Sequence, residues 1–237
     1  MPNSSRPLAV VTGSSRGIGR AIALKLAHDG FDLYCCSRNE ESLAKLMEDI
    51  KAEVPECKLE TRSCDVSEAD EVKAMAASLQ ESARPVRVLV NNAGVFRPGN
   101  IADEEEGCLE LMLNTNLYSA YHLSRGLLSL LKPGSDIINI CSVASLKPYP
   151  GGGSYGISKY AMLGFSQNLR EELKDAGIRV TAVMPGATLT DSWAGVELPE
   201  ERFIPAEDVA EAVCNAIRLS PRTVVEDIVL RPQLGDI

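Results

Sequence analysis

An α/β architecture built on one doubly wound parallel sheet is what this chain of 237 residues predicts, and three observations carry it. Short aliphatic or β-branched runs alternate with helix-like stretches from end to end. Those runs lack a polar alternation, as expected of strands covered by helices on both faces. Glycine- or amide-rich junctions follow the first and fourth runs, at the carboxyl strand ends where such sheets bind ligands.

Taken in order, the strands are LAVVT (8–12), DLYCC (32–36), KLETRS (58–63), VRVLVN (86–91), DIINIC (136–141), IRVTAVM (178–184) and DIVL (227–230). Between them, helices are expected at 17–29, 40–53, 68–82, a long one within 104–131, then 154–176 and 206–219. The helix opening SYGISKYAMLGFSQNLREEL has no proline and places Met162, Phe165, Leu169 and Leu173 on an apolar stripe. No repeat, low-complexity segment or charged linker divides the chain, so 1–237 reads as a single Rossmann-type domain of about seven strands.

Composition narrows the function. A formal charge of −9 and a pI near 4.9 argue against a general nucleic-acid binder or a polybasic membrane-surface protein, because both need the opposite sign on their contact face. The seven cysteines (Cys35, Cys36, Cys57, Cys64, Cys108, Cys141 and Cys214) are odd in number, contain no C-x-x-C and mostly lie in apolar runs. They read as buried thiols of a reducing compartment. With only His28 and His122 available, no metal site is expected. MPNSSRP leads straight into the first strand without the apolar core of a signal peptide, and no run approaches a membrane span, so a cytoplasmic protein is expected.

The chemistry gathers at the junctions. In TGSSRGIG, Gly13, Gly17 and Gly19 let backbone approach a pyrophosphate while the following helix start favours its charge; a plain loop is the other reading. After the second strand, where an acidic residue would accept from a ribose 2′-OH, stands Arg38, with Arg16 in the glycine loop. Two guanidiniums there suit a 2′-phosphate, unless both are solvated surface arginines. Asp65–Val66 is either a ligand contact or an early turn before a Ser67 N-cap, and NNAG (91–94) allows backbone to run close to a flat ligand. Tyr155 and Lys159 stand one turn apart, so the ammonium would favour the phenolate and make a proton shuttle working near neutral pH.

TGSSRGIG, NNAG and YGISK in this order and spacing resemble the short-chain dehydrogenase/reductase superfamily across essentially the whole chain. The resemblance implies NADP(H)-dependent hydride transfer, with Tyr155 as general acid/base and Lys159 lowering its pKa. Ser142 would orient the substrate carbonyl, and Asn116, in NTNLYSA, would hold a water in the proton relay. It further implies cofactor contacts from Gly13, Ser15, Arg16, Gly17, Ile18 and Gly19, from Ser37 and Arg38, and from Asp65 and Val66 at the adenine. Asn91 would face the ribose, with Asn92, Ala93 and Gly94 beside it, and Tyr155 and Lys159 would also touch the cofactor. Pro185, Gly186, Thr188 and Thr190 would anchor the carboxamide.

Substrate contacts are expected from Val95–Phe96, from 143–153 and from a short lid at 187–205. Trp193 there either meets substrate or packs under the lid. The tail is similar to that of bacterial sepiapterin-reductase-like members, which points to a small free carbonyl or alcohol. A 3-oxoacyl-acyl-carrier-protein reductase and a non-catalytic NADP-sensing protein are the alternatives. Cys141 reads as a buried thiol and His122 as a core or interface residue. By the same resemblance, the helices around 109–131 and at Tyr155 would pair with their copies in a homodimer or homotetramer.

Overall fold

All seven aliphatic runs enter one parallel sheet with the order β3-β2-β1-β4-β5-β6-β7. The computed structural model describes residues 6–193 and 195–237. In chain order the elements are β1 (Leu8–Thr12), α1 (Gly17–His28), β2 (Asp32–Ser37), α2 (Glu40–Glu53), β3 (Leu59–Ser63), α3 (Ala69–Glu81) and β4 (Val86–Asn91). There follow α4 (Cys108–Leu113), α5 (Ser119–Leu127), β5 (Leu131–Ile140), α6 (Gly153–Leu173), β6 (Arg179–Pro185), α7 (Ala206–Arg218) and β7 (Asp227–Leu230). The strand order reverses between β1 and β4, which opens a crevice at their carboxyl ends.

Helices cover both faces because the central strands are apolar on both. On one face α1, α2 and α7 bury Ile22, Leu26, Leu46 and Val213 against β1 and β4; on the other, Met75, Leu79, Leu123 and Leu127 pack with Leu169. Each such side chain contributes about 1.5–3 kcal/mol through its removal from water.

Three expectations are corrected. The third and seventh runs are not covered on both faces: β3 and β7 are sheet edges, and their residues are only partly buried or exposed. The long helix of 104–131 is two helices joined by a π-helical turn, Asn114–Tyr118, and its end becomes strand. There, β5 starts at Leu131, opposite Val86, and the ladder shifts register between Val86 and Val88. Ser67 does not cap α3; Glu68 occupies that position, and both the Ser67 amide and hydroxyl donate to Asp65 Oδ1 at 3.0 and 2.7 Å. The lid at 187–205 contains no α-helix among its described residues, only 3₁₀ turns at Asp191–Trp193 and Glu200–Arg202.

Candidate active site

The crevice is a cleft of about 810 Å³, and the chain's own hydrogen bonds hold it open. Asn92 Nδ2 donates to Thr12 O at 2.9 Å and Gly13 O at 3.0 Å, and the Asn92 and Ala93 amides both donate to Thr12 Oγ1 at 3.0 Å. The glycine loop is tied to the end of β2 by Ser14 N, which donates to Cys36 O at 3.1 Å, and by a 2.7 Å bond between the Ser15 and Ser37 hydroxyls. A Cβ on Gly19 would lie 2.3 Å from both Asn92 Nδ2 and Gly13 O, and Gly13 itself sits at φ 63°. No other residue allows this approach of β4's end to the loop.

These features fit a dinucleotide phosphate. Helix α1 has no side-chain N-cap and no acidic residue in its first turn, so its leading amides and positive dipole end face the cleft uncompensated. Ile18, Ser37, Val66, Gly94, Pro185, Gly186, Thr188 and Thr190 also line the cleft. Arg16 and Arg38 line it too, as mostly exposed side chains. Arg16 Nη1 is bonded to Asp191 Oδ2 at 2.9 Å and Arg38 Nη1 approaches Asp65 Oδ2 at 3.9 Å. Burial pushes the Asp65 carboxyl up, but the Ser67 bonds and the Arg38 charge outweigh it and hold the group below its ordinary value.

At the other end of the cleft, Ser142, Tyr155 and Lys159 come together. Ser142 follows β5 and opens a 3₁₀ turn, its Oγ accepting from Ala144 N at 3.1 Å. A hydroxyl that accepts in this way keeps its own hydrogen to donate. Lys159 is only 5% exposed; Nζ donates to Ile140 O at 2.9 Å and lies 5.8 Å from the Tyr155 ring centroid. Phe96 packs edge-on against Tyr155 at 4.8 Å.

Burial opposes the phenolate that the neighbouring ammonium is expected to favour. Burial is the main influence on both groups: it pushes the Tyr155 phenol above its ordinary value, against the Ser142 bond, and the Lys159 ammonium below its own. Desolvation disfavours the charged form of each group.

Asn116 does not line the cleft. It lies behind the wall on the π-helical turn, where Oδ1 accepts from Val95 N at 2.7 Å and Nδ2 donates to Val95 O at 3.0 Å and Ser158 Oγ at 2.9 Å. The expected ribose-side position of Asn91 is wrong. As the last residue of β4 it points to the helix face, is 3% exposed, and donates to Ser124 Oγ and Asn139 Oδ1 at 3.0 and 2.9 Å. Successive strand residues face opposite ways, so its neighbour Asn92 reaches the cleft instead.

Asp191, from the expected lid segment, lines the cleft, and so do two residues that sequence reasoning missed, Arg231 and Asp236. Only the return of the chain after β7 brings the last two there, and no local pattern signals it. Trp193 lines the cleft and packs edge-on against Phe203 at 5.4 Å. Cys141 is buried, and burial pushes its thiol up to about 11, far from a reactive thiolate.

A crevice at the switch point, a glycine loop feeding a bare helix start and a tyrosine–lysine pair at its far end define a dinucleotide-binding oxidoreductase scaffold. The chain belongs to the short-chain dehydrogenase family, whose model matches residues 7–201. It is 34% identical to a sepiapterin reductase of Chlorobaculum tepidum over 97% of this chain and 98% of that one. It is 35% identical to a putative ketoacyl reductase of Streptomyces coelicolor over 92% of each. Among solved structures, an alcohol dehydrogenase from Thermococcus sibiricus complexed with 5-hydroxy-NADP superposes with a TM-score of 0.90, at 29% identity over 98% of both chains. A short chain dehydrogenase from Burkholderia cenocepacia in complex with NADP gives 0.88, at 28% identity over 97% of this chain and 98% of that one. No helix among the described residues is long and apolar enough to cross a membrane.

Proposed function

We propose that the protein is an NADP(H)-dependent oxidoreductase interconverting a small free carbonyl compound and its alcohol, with Tyr155 as the proton donor and acceptor. The observation that carries this reading is the meeting of Tyr155, Ser142 and the buried Lys159 at one end of a cleft whose other end carries the glycine loop. Gly13, Ser15, Arg16, Gly17, Ile18 and Gly19 would hold the cofactor's phosphates, with Arg38 on the 2′-phosphate and Asp65 and Val66 on the adenine side. Asn92, Ala93, Gly94, Pro185, Gly186, Thr188 and Thr190 would line the rest of its path. When bound, the nicotinamide supplies or takes the hydride.

The chain's own groups handle the proton and the charge. Ser142 Oγ, with its hydrogen free of backbone partners, donates to the substrate oxygen and fixes the carbonyl. Tyr155 gives its phenolic proton to that oxygen in reduction and takes it back in oxidation. Lys159, anchored on Ile140 O, stabilises the phenolate formed at that moment. Asn116 acts at one remove, locking Val95 to Ser158 of the Tyr155 helix. Residues 187–205 serve as a short lid whose Trp193 faces the cleft.

A narrower second reading is a flat ring-bearing ketone such as sepiapterin, favoured by Phe96, Tyr149 and Trp193 in the cleft lining. Loss of NADPH absorbance with a panel of ketones, diketones, quinones, pterins and an acetoacetyl thioester tests both. Turnover of none of them would leave a nucleotide-binding scaffold. In the same assay Arg38→Leu is expected to weaken NADPH by about 10- to 100-fold, the worth of a charged hydrogen-bonded contact, with NADH little changed. An unaltered preference would mean that Arg38 does not read the 2′-phosphate.

Exposed side chains on the outer faces of α5 and α6 and the turn before α5 support self-association. Tyr118, Tyr121, Ile157 and Tyr160 are exposed there, and a Cβ at Gly156 or Gly164 would meet nothing within 4 Å. Two copies pairing through these faces would bury them, and sedimentation analysis should give a dimer or tetramer; a monomer at micromolar concentration would exclude it.

A further inference from the structure

The helix that presents Tyr155 lacks a cap of its own. Gly152 at its N-cap makes no side-chain cap bond, and the first turn of α6 contains no acidic residue. The cap comes instead from Glu104, fifty positions earlier: Oε1 accepts from Ser154 N at 2.8 Å, and Oε2 is the acceptor of a short bond from Ser154 Oγ. Two glycines clear the space. A Cβ on Gly153 would lie 2.0 Å from Glu104 Oε1, and one on Gly99 would lie 2.9 Å from Glu104 Cγ. The two loops are laced further by Gly99 N, which donates to Gly151 O at 2.9 Å, and by Gly151 N, which donates to Asn100 Oδ1 at 3.2 Å.

We infer that Glu104 is a positioning residue for Tyr155, a strut that fixes the first turn of α6 from the loop after β4. This rests on Tyr155 being the proton donor. The two members of the pair depend on it differently. Tyr155 immediately follows Ser154, the residue that Glu104 holds, whereas Lys159 lies a turn deeper and is secured separately by Ile140 O. The same loop carries Phe96, which packs edge-on against Tyr155, so the strut holds helix start and opposing wall in one register. The carboxylate also complements the positive end of the helix.

Glu104→Ala and Glu104→Gln separate this role from bulk stability. Glu104→Ala is expected to lower kcat by about 10- to 100-fold, the cost of a misplaced reacting group, while the NADPH dissociation constant stays within about twofold. Glu104→Gln, which keeps an oxygen for the Ser154 amide, should recover most of kcat. Independently of turnover, amide hydrogen exchange in a peptide spanning 154–158 should quicken by about tenfold in Glu104→Ala, with the glycine loop unchanged. Faster exchange alone, in a protein whose wild type reduces nothing, would sink the functional reading and keep the strut. Unchanged exchange with an unchanged kcat would overturn the strut, as would equal losses of kcat, NADPH binding and melting temperature in both variants.

Discussion

Replacing Tyr155 by phenylalanine is expected to cut turnover by about 10²- to 10⁴-fold, the usual worth of a positioned acid or base, with NADPH binding retained. The ring that packs against Phe96 stays in place, and so does the Lys159 anchor on Ile140 O. Only the transferable proton is gone, so the loss should fall on kcat and on kcat/KM alike. The pH dependence has a definite sign. Burial raises the phenol above its ordinary value near 10, so in the cofactor-free protein it stays protonated through neutral pH. Reduction, which needs the protonated form, should therefore fail only on the alkaline side. In the 295 nm titration of the free protein, the component lost in Tyr155→Phe should ionise above the ordinary tyrosine range. Reduction at near wild-type rate by the phenylalanine variant would remove Tyr155 from the mechanism.

The second large effect is expected far from the cleft, at Asp136. Its carboxylate is almost fully buried at the opposite end of the sheet and receives Arg179 in a two-pronged pair, Nε to Oδ1 at 2.7 Å and Nη2 to Oδ2 at 3.0 Å, with Arg87 on the same oxygen as the latter. Arg179 in turn donates to the carbonyls of Ile217 at 2.8 Å and Leu219 at 3.0 Å, where α7 ends. Asp136→Ala leaves a buried guanidinium without its counter-ion, a change that costs about 3–5 kcal/mol. Against a typical total of about 5–15 kcal/mol this is large. Urea denaturation should show the midpoint falling with an unchanged slope, and kcat per folded molecule should hold, since no cleft residue is touched. A loss below about 1 kcal/mol would show that water reaches Arg179 and replaces the carboxylate.

Much of the site was legible because its signals are local. A glycine loop, the Arg16 and Arg38 positions and the Tyr155–Lys159 spacing each sit within one strand–helix junction or one helical turn, and the fold then delivers those junctions to one edge of the sheet. The illegible part is long-range. Asn91 and Asn92 are chemically equal in the sequence, and only the pleat of β4 decides which faces the cleft. The separation of Glu104 from Ser154 by fifty positions hid the cap of the helix that carries Tyr155, and the polar content of KLETRS made sense only once β3 proved to be an edge.

By itself the sequence determined the seven strands, the α/β class and the chemistry gathered at the strand ends, because periodicity and backbone permissiveness act over a few residues. Tertiary structure alone decided which carboxylates meet which arginines, that Arg231 and Asp236 border the cleft, and that the phenol is buried enough to lie above its ordinary value. Those outcomes depend on how elements distant in the chain are placed against one another and on how much water that placement excludes, and neither quantity is written in any local stretch of residues.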